Sequence, residues 1–217
     1  MTPTEWFRSP DWDPAAERDF RDRLARSRPH NRIQYRRIKA DALLRTGDPA
    51  KQIAGRQLLI EVAESADAPD FEKVMALSML GRAALRDGRL DEAEANLRHA
   101  LRMSGKNGSG TSGLEEAWLA QVALARGNHD ALRQTRALLE QRAADPPAIL
   151  SARFEICLTA ARVASALDDE RAAASWAQSA LDLADRDHSG LANHPGLGLV
   201  RLDRETREWL ERLSGLS

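Results

Sequence analysis

At 217 residues with 42% hydrophobic side chains, the chain is long enough to fold around one sizeable core or as a short array of repeats. Its 32 basic and 33 acidic residues leave a formal net charge of −1, which excludes the strongly cationic field of a dedicated nucleic-acid binder. A single cysteine, Cys157, excludes an intrachain disulfide, and no run approaches the ~20 apolar residues of a membrane span. The start, Met-Thr-Pro-Thr-Glu-Trp, carries neither the positive residues nor the apolar stretch of an export signal, so the expected home is the cytoplasm, with no membrane partner. Only four basic residues are lysines and the other 28 are arginines, a bias that the base composition of a coding genome accounts for as readily as function.

In chain order, the first feature is Trp6, Phe7 and Trp12 set among Pro3, Pro10 and Pro14. Such a segment is expected to be an extended arm pinned to the body by its rings; the alternative is a docking strip, because exposed tryptophan suits interface hot spots. Asp13-Pro14 is a good N-cap and first-turn pair for a helix running to about Arg28, with Phe20 and Leu24 on one face. Turn punctuation then recurs around Gly47, Gly88, Gly127 and Asp168, at intervals of 41, 39 and 41 residues. Between these points apolar residues keep helical spacing, and strand alternation is absent. A near-constant period of this size predicts stacked helical hairpins, each burying its apolar face against its neighbours. Glycine, and less often Asp, can take the left-handed conformation that ends a helix, so one tight turn is expected at all four points.

The clearest unit runs from about Val74 to Gly105. Its Leu77, Leu80, Gly81, Ala84, Ala93, Leu97 and Ala100 fall at the spacings of the tetratricopeptide repeat signature, and the segment resembles that family. Small Gly81 and Ala93 would let two antiparallel helices approach while Leu77, Leu80, Leu97 and Leu101 fill the groove between them. Asp91 and Glu94 read as a capping-box variant at the second helix. The fourth unit resembles the pattern next best, through Cys157, Ala161, Ala164, Ala173, Ala177 and Ala180. In the first unit Gly55 stands where alanine is usual, and the third unit, around Trp118 to Leu139, rests on period and amphipathicity. The resemblance implies an all-α, right-handed α-α superhelix, a solenoid of about four helix pairs with terminal capping helices. The expected organisation is an N-terminal arm and capping helix (1–29), helical repeats (30–187), and a Gly/Pro linker with a C-terminal capping helix (188–217) whose Leu202, Thr206, Trp209, Leu210 and Leu213 cover the end of the stack. Ser104 to Gly113 is too rich in Gly and Ser to predict fixed structure.

No catalytic motif is present. Lys106 lies in a glycine-rich stretch without the order of a phosphate-binding loop. Asp185, Asp187, His188 and His194 cluster near the last linker but read as solvated loop residues rather than metal ligands. Cys157 sits in an apolar stretch and reads as core. Neither an enzyme nor a cofactor is expected.

In proteins of this family the first helix of each pair lines a concave face. The resemblance therefore places Arg37, Asp41, Arg45, Ser78, Arg82, Arg86, Gln121 and Arg162 on the inner surface. Arg37/Asp41/Arg45 and Ser78/Arg82/Arg86 each keep one helical stripe, and two facing stripes would form a basic channel matched to an acidic peptide or a partner's C-terminal tail. The asparagines of the chaperone-tail carboxylate clamp are absent, so chaperone tails are not the expected ligand. The function this implies is a protein–protein interaction scaffold that binds a peptide or protein segment. The alternative is a sensor that binds a small peptide or metabolite and signals to a separate effector; homo-oligomerisation through the aromatic arm or the repeat ends is a third reading.

Overall fold

The computed structural model describes residues 5–107, 113–189, 196 and 198–215. Among them the chain is all-α, without a strand: a 3-10 turn at Trp6–Arg8 and ten helices, α1 (Pro14–Arg26), α2 (Pro29–Leu44), α3 (Pro49–Glu64), α4 (Asp70–Arg86), α5 (Leu90–Asn107), α6 (Glu115–Arg126), α7 (His129–Ala144), α8 (Leu150–Ala166), α9 (Glu170–Ala184) and α10 (Arg204–Ser214). None of these helices is long and apolar enough to cross a membrane. The chain divides into two compact units, Met1–Ser112 and Gly113–Ser217, at the Gly/Ser-rich stretch.

Helix starts follow the polar residues that precede them. Asp13 accepts from the N–H groups of Ala15 and Ala16, Asp48 from Ala50 and Lys51, Asn128 from Ala131, Asp169 from Ala172 and Asp203 from Thr206. Each oxygen satisfies donors that have no partner inside the helix. These bonds hold the Asp13, Asp169 and Asp203 carboxyls below their ordinary value, since they favour the ionised form.

Three of the four hairpin turns share one construction. Gly88, Gly127 and Asp168 take φ values of 73°, 61° and 56°. In each case the next residue's N–H reaches back to the carbonyl five positions earlier: Arg89 to Ala84 (2.8 Å), Asn128 to Ala123 (3.2 Å), Asp169 to Ala164 (3.0 Å). The turn residues' own N–H groups bond to Leu85, Leu124 and Ser165, completing the Schellman pattern. The first turn departs from expectation. Gly47 is not in the left-handed region; instead the Thr46 hydroxyl caps the Leu43 carbonyl (2.7 Å) and Gln52 donates to the Thr46 carbonyl (2.6 Å). Side-chain bonds there accompany the Thr46 N–H bond to Leu43 (3.2 Å) in place of the Schellman pair.

Two further expectations need correction. Because α5 begins at Leu90, Asp91 lies inside its first turn rather than at the N-cap, and Glu94 pairs with Arg98 (2.7 Å). The same helix runs through Ser104 to Asn107, where a connector without fixed structure was expected, with the Ser104 hydroxyl bonded back to Leu101. Residues 108–112 lie outside the described residues.

Within the first unit α2 packs on α3, α3 on α4, α4 on α5, and α2 also meets α4. Phe20, Leu24, Leu43, Leu58, Leu59 and Val62 form its main core. At the α4–α5 crossing an added Cβ on Gly81 would lie 2.6 Å from Leu97 Cγ, so the predicted close approach is real. Gly55 marks a second one: its Cβ would lie 3.0 Å from the Ala40 carbonyl oxygen of α2. Within the second unit α6, α7, α8 and α9 pack in the same consecutive manner, with α6 also meeting α8 and α10 covering α9. The fully buried Leu210 of α10 joins Leu158, Ala177 and Leu181. The Gly198 carbonyl accepts from the Ser151 N–H (2.8 Å), tying the segment before α10 to the start of α8.

Candidate functional site

The arm of residues 5–12 lies against α1 and α2. Phe7 stacks on Tyr35 with centroids 4.3 Å apart and planes at 10°, Trp6 meets both Tyr35 (5.5 Å) and Phe20 (5.4 Å), and Trp12 meets Phe20 (5.6 Å). The rings are pinned to the chain's own core, as the arm reading expected. Lys39 of α2 locks the arm from beneath. Only 2% exposed, its ammonium donates to the Ser9 (2.7 Å) and Asp11 (2.9 Å) carbonyls and lies over the Trp12 and Phe20 rings at 5.3 and 5.5 Å. Burial lowers its pKa, opposed by the charge of Asp11.

Where arm and α2 diverge, Arg8, Pro10, Ile38, Asp41, Ala42, Arg45 and Thr46 line an open cleft of about 450 Å³. The apolar lining is Ile38 and Ala42 of α2 with Pro10 of the arm, and the charged groups are Arg8, Arg45 and Asp41. Asp41 and Arg45, two of the residues predicted to contact a ligand, are thus joined by arm residues that sequence spacing does not reveal.

The predicted basic stripes behave differently from one another. Arg37 is not offered to a ligand: its Nε lies 2.5 Å from Glu72 Oε2, and the Glu72 side chain is 3% exposed. This ion pair ties α2 to α4. Arg86 donates to the Leu44 carbonyl at the end of α2 (3.1 Å) and to Asp87 (3.2 Å), serving as a C-terminal cap across the helix pair. Asp87 also receives Arg56 of α3 and Arg89, both at 3.0 Å; burial opposes its ionisation, but the bonds from Arg89 and Arg86 win and its pKa falls. Ser78 is buried and Arg82 exposed. Arg45 bonds to Asp41 (2.9 Å) with 75% of its side chain exposed. A continuous channel of uncommitted cations is therefore replaced by structural pairs, with Arg45 at the exposed end. Glu72, which decides this, sits in the first turn of α4, where an acidic residue ordinarily reads as favouring the helix dipole.

In the second unit the Gln121 amide donates to Glu155 (2.6 Å) and the buried Thr159 (3.3 Å), linking α6 to α8. Arg162, one turn further along α8, is exposed and lies 6.0 Å from the Trp209 ring of α10. Both residues join helices within the unit. Burial pushes the Cys157 thiol up to about 11, so it is a poor nucleophile. Among the described residues no three His, Cys, Asp or Glu side chains stand together as a metal site; Asp185 pairs with Arg207 (2.8 Å), and His194 lies outside the described residues, as does the Lys106 side chain.

No protein-family model, curated protein or solved structure matches the chain, so its functional reading rests on the residues themselves.

Proposed function

We propose that the chain is a non-catalytic interaction module of the tetratricopeptide-like class, the class whose helix pairs wind into a right-handed superhelix, and that it binds an extended peptide or protein segment along the α2/α4 face of its first unit. The cleft beside Asp41 and Arg45 carries this reading. Its apolar lining and exposed guanidinium groups suit a segment that brings carboxylate and aliphatic groups together. Consecutive hairpins with small residues at their crossings support the class, and the period of 39–41 residues agrees. The open cleft suits an extended segment better than an enclosed metabolite, which places the sensor reading second. A cytoplasmic setting is part of the proposal, since one buried thiol needs no oxidising compartment.

The test is affinity capture from native lysate with the wild type and an Arg45→Glu, Arg82→Glu double variant, choosing residues that do not include the Arg37 and Arg86 structural contacts. A partner retained by the wild type and lost by a variant of unchanged helicity is the expected result. Equal retention by both proteins moves the binding surface away from α2 and α4.

A further inference from the structure

The cleft on α2 has three chemical features whose combination is more selective than charge alone. Arg8 and Arg45 supply guanidinium groups whose ion pairs are exposed: Arg8 with Glu5 at 3.3 Å, 58% and 52% of the two side chains exposed, its guanidinium also 5.6 Å from the Phe7 ring, and Arg45 with Asp41, 75% and 41% exposed. Exposed pairs of this kind stabilise a protein little, so an incoming carboxylate displaces them at small cost. The Arg37–Glu72 pair, by contrast, is desolvated and cannot be exchanged so cheaply. The same cleft offers an apolar lining, Ile38, Ala42 and Pro10, and an acceptor, Asp41, bonded to Arg45.

A guanidinium, an apolar lining and a carboxylate acceptor correspond in kind to the carboxylate, last side chain and last N–H of a peptide's C-terminus. An internal Glu or Asp offers the anion without that same close grouping. The volume of about 450 Å³ falls within the range of small-ligand sites. Resting on the interaction-module reading, we propose that the cleft bounded by residues 8–10 and α2 captures the free C-terminus of a peptide ending in an aliphatic residue, with Arg45 and Arg8 holding the carboxylate, Asp41 accepting the last N–H, and Ile38, Ala42 and Pro10 receiving the side chain. The arm is then half of the site, and Lys39 is its positioning residue: it touches none of the ligand but holds the Ser9 and Asp11 carbonyls on either side of Pro10.

The test uses the full chain and a rhodamine-labelled peptide of sequence Gly-Ser-Gly-Ser-Ala-Leu, as the free acid and as the C-terminal amide, titrated by fluorescence anisotropy. The free acid binds at least about tenfold more tightly than the amide, because a charge-assisted hydrogen bond is stronger than a neutral one. Arg8→Gln and Arg45→Gln each weaken the acid by about tenfold and leave the amide unchanged. Lys39→Met lowers the acid-to-amide ratio as Arg8→Gln does, a change that loss of stability alone does not produce; if Lys39→Met fails to fold, Arg8→Gln carries the arm's part. Equal binding of acid and amide, absence of binding, or indifference of the acid to both arginine variants overturns the site. Partner capture that is lost in Arg45→Glu, Arg82→Glu while the acid and amide bind alike leaves the module reading standing and removes only this cleft. A tight, arginine-dependent acid complex in a chain whose lysate partner ignores the double variant keeps the cleft and places that lysate partner on another surface.

Discussion

The α2–α3 and α4–α5 hairpins occupy the same unit and have the same length of repeat, yet they are closed by different physics. In α4–α5 the turn is made by backbone: Gly88 at φ 73° lets Arg89 and Gly88 satisfy the last carbonyls of α4. In α2–α3 there is no left-handed residue: the Thr46 N–H (3.2 Å) and hydroxyl (2.7 Å) both bond the Leu43 carbonyl, Gln52 donates to the Thr46 carbonyl, and Gly47 is in an ordinary conformation. The crossings differ as well. Gly81 is closed chiefly by the Leu97 side chain, at 2.6 and 2.8 Å from an added Cβ, whereas Gly55 meets the Ala40 carbonyl, Leu44 Cγ and Leu43 Cβ at 3.0, 3.1 and 3.2 Å. A repeat position is therefore a demand for closeness or curvature, and several chemistries meet it.

The largest test of this contrast is at the α4–α5 crossing. Leu97 is fully buried, and Leu97→Ala is expected to cost about 3 kcal/mol through lost burial and the cavity left behind. Gly81→Ala gains helix propensity but places a methyl 2.6 and 2.8 Å from Leu97 Cγ and Cδ2, so the net is a loss of about 1–2 kcal/mol. In the Leu97→Ala background the same change becomes neutral or stabilising by up to about 1 kcal/mol, because the obstruction is gone while the propensity gain of about that size remains. Urea unfolding followed by ellipticity measures the cycle, with amide exchange assigning the change to the first unit. Additive effects of the two substitutions would show that Gly81 is not held small by Leu97.

Next in size is Gly88→Ala. No atom lies within 4 Å of the added methyl, so its whole cost, about 1 kcal/mol, is that of a side chain in the left-handed region, offset in part by a less flexible unfolded chain. Gly55→Ala follows with a loss of about 0.5 kcal/mol: the contacts of 3.0–3.2 Å ask α2 and α3 to separate slightly, and the propensity gain nearly compensates. A loss at position 55 as large as that at position 81 would mean that the α2–α3 crossing is the more rigid of the two.

What could be read from the sequence follows the same division. Spacing located the hairpins, the cap at Asp13 and the closeness at Gly81, because each is a relation between residues a few positions apart; the caps at Asp48 and Asp203 came only with the structure. It assigned Gly47 and Gly88 the same turn, since the Thr46 and Gln52 side-chain bonds that replace the backbone geometry have no spacing signature. The candidate site was legible only as a helical stripe. That Arg37 is consumed by Glu72, 35 residues on, while Arg45 stays exposed, depends on which helices meet, and the Arg8 and Pro10 wall of the cleft depends on how the arm folds back over Lys39.

The smallest predicted effect is also the one that separates the two turns most sharply. Gly47, like Gly88, has open space around an added Cβ, so sterics with neighbours cannot distinguish them. Only backbone conformation can. Since Gly47 is outside the left-handed region, alanine there meets no strain and restricts only the unfolded chain, giving a gain of about 0.4 kcal/mol where Gly88→Ala gives a loss. Opposite signs in urea midpoints at unchanged m-value are the expected outcome. Losses at both positions would mean that the first turn visits the left-handed conformation in solution, and that the Thr46 and Gln52 bonds reinforce the backbone turn of the other hairpins instead of replacing it.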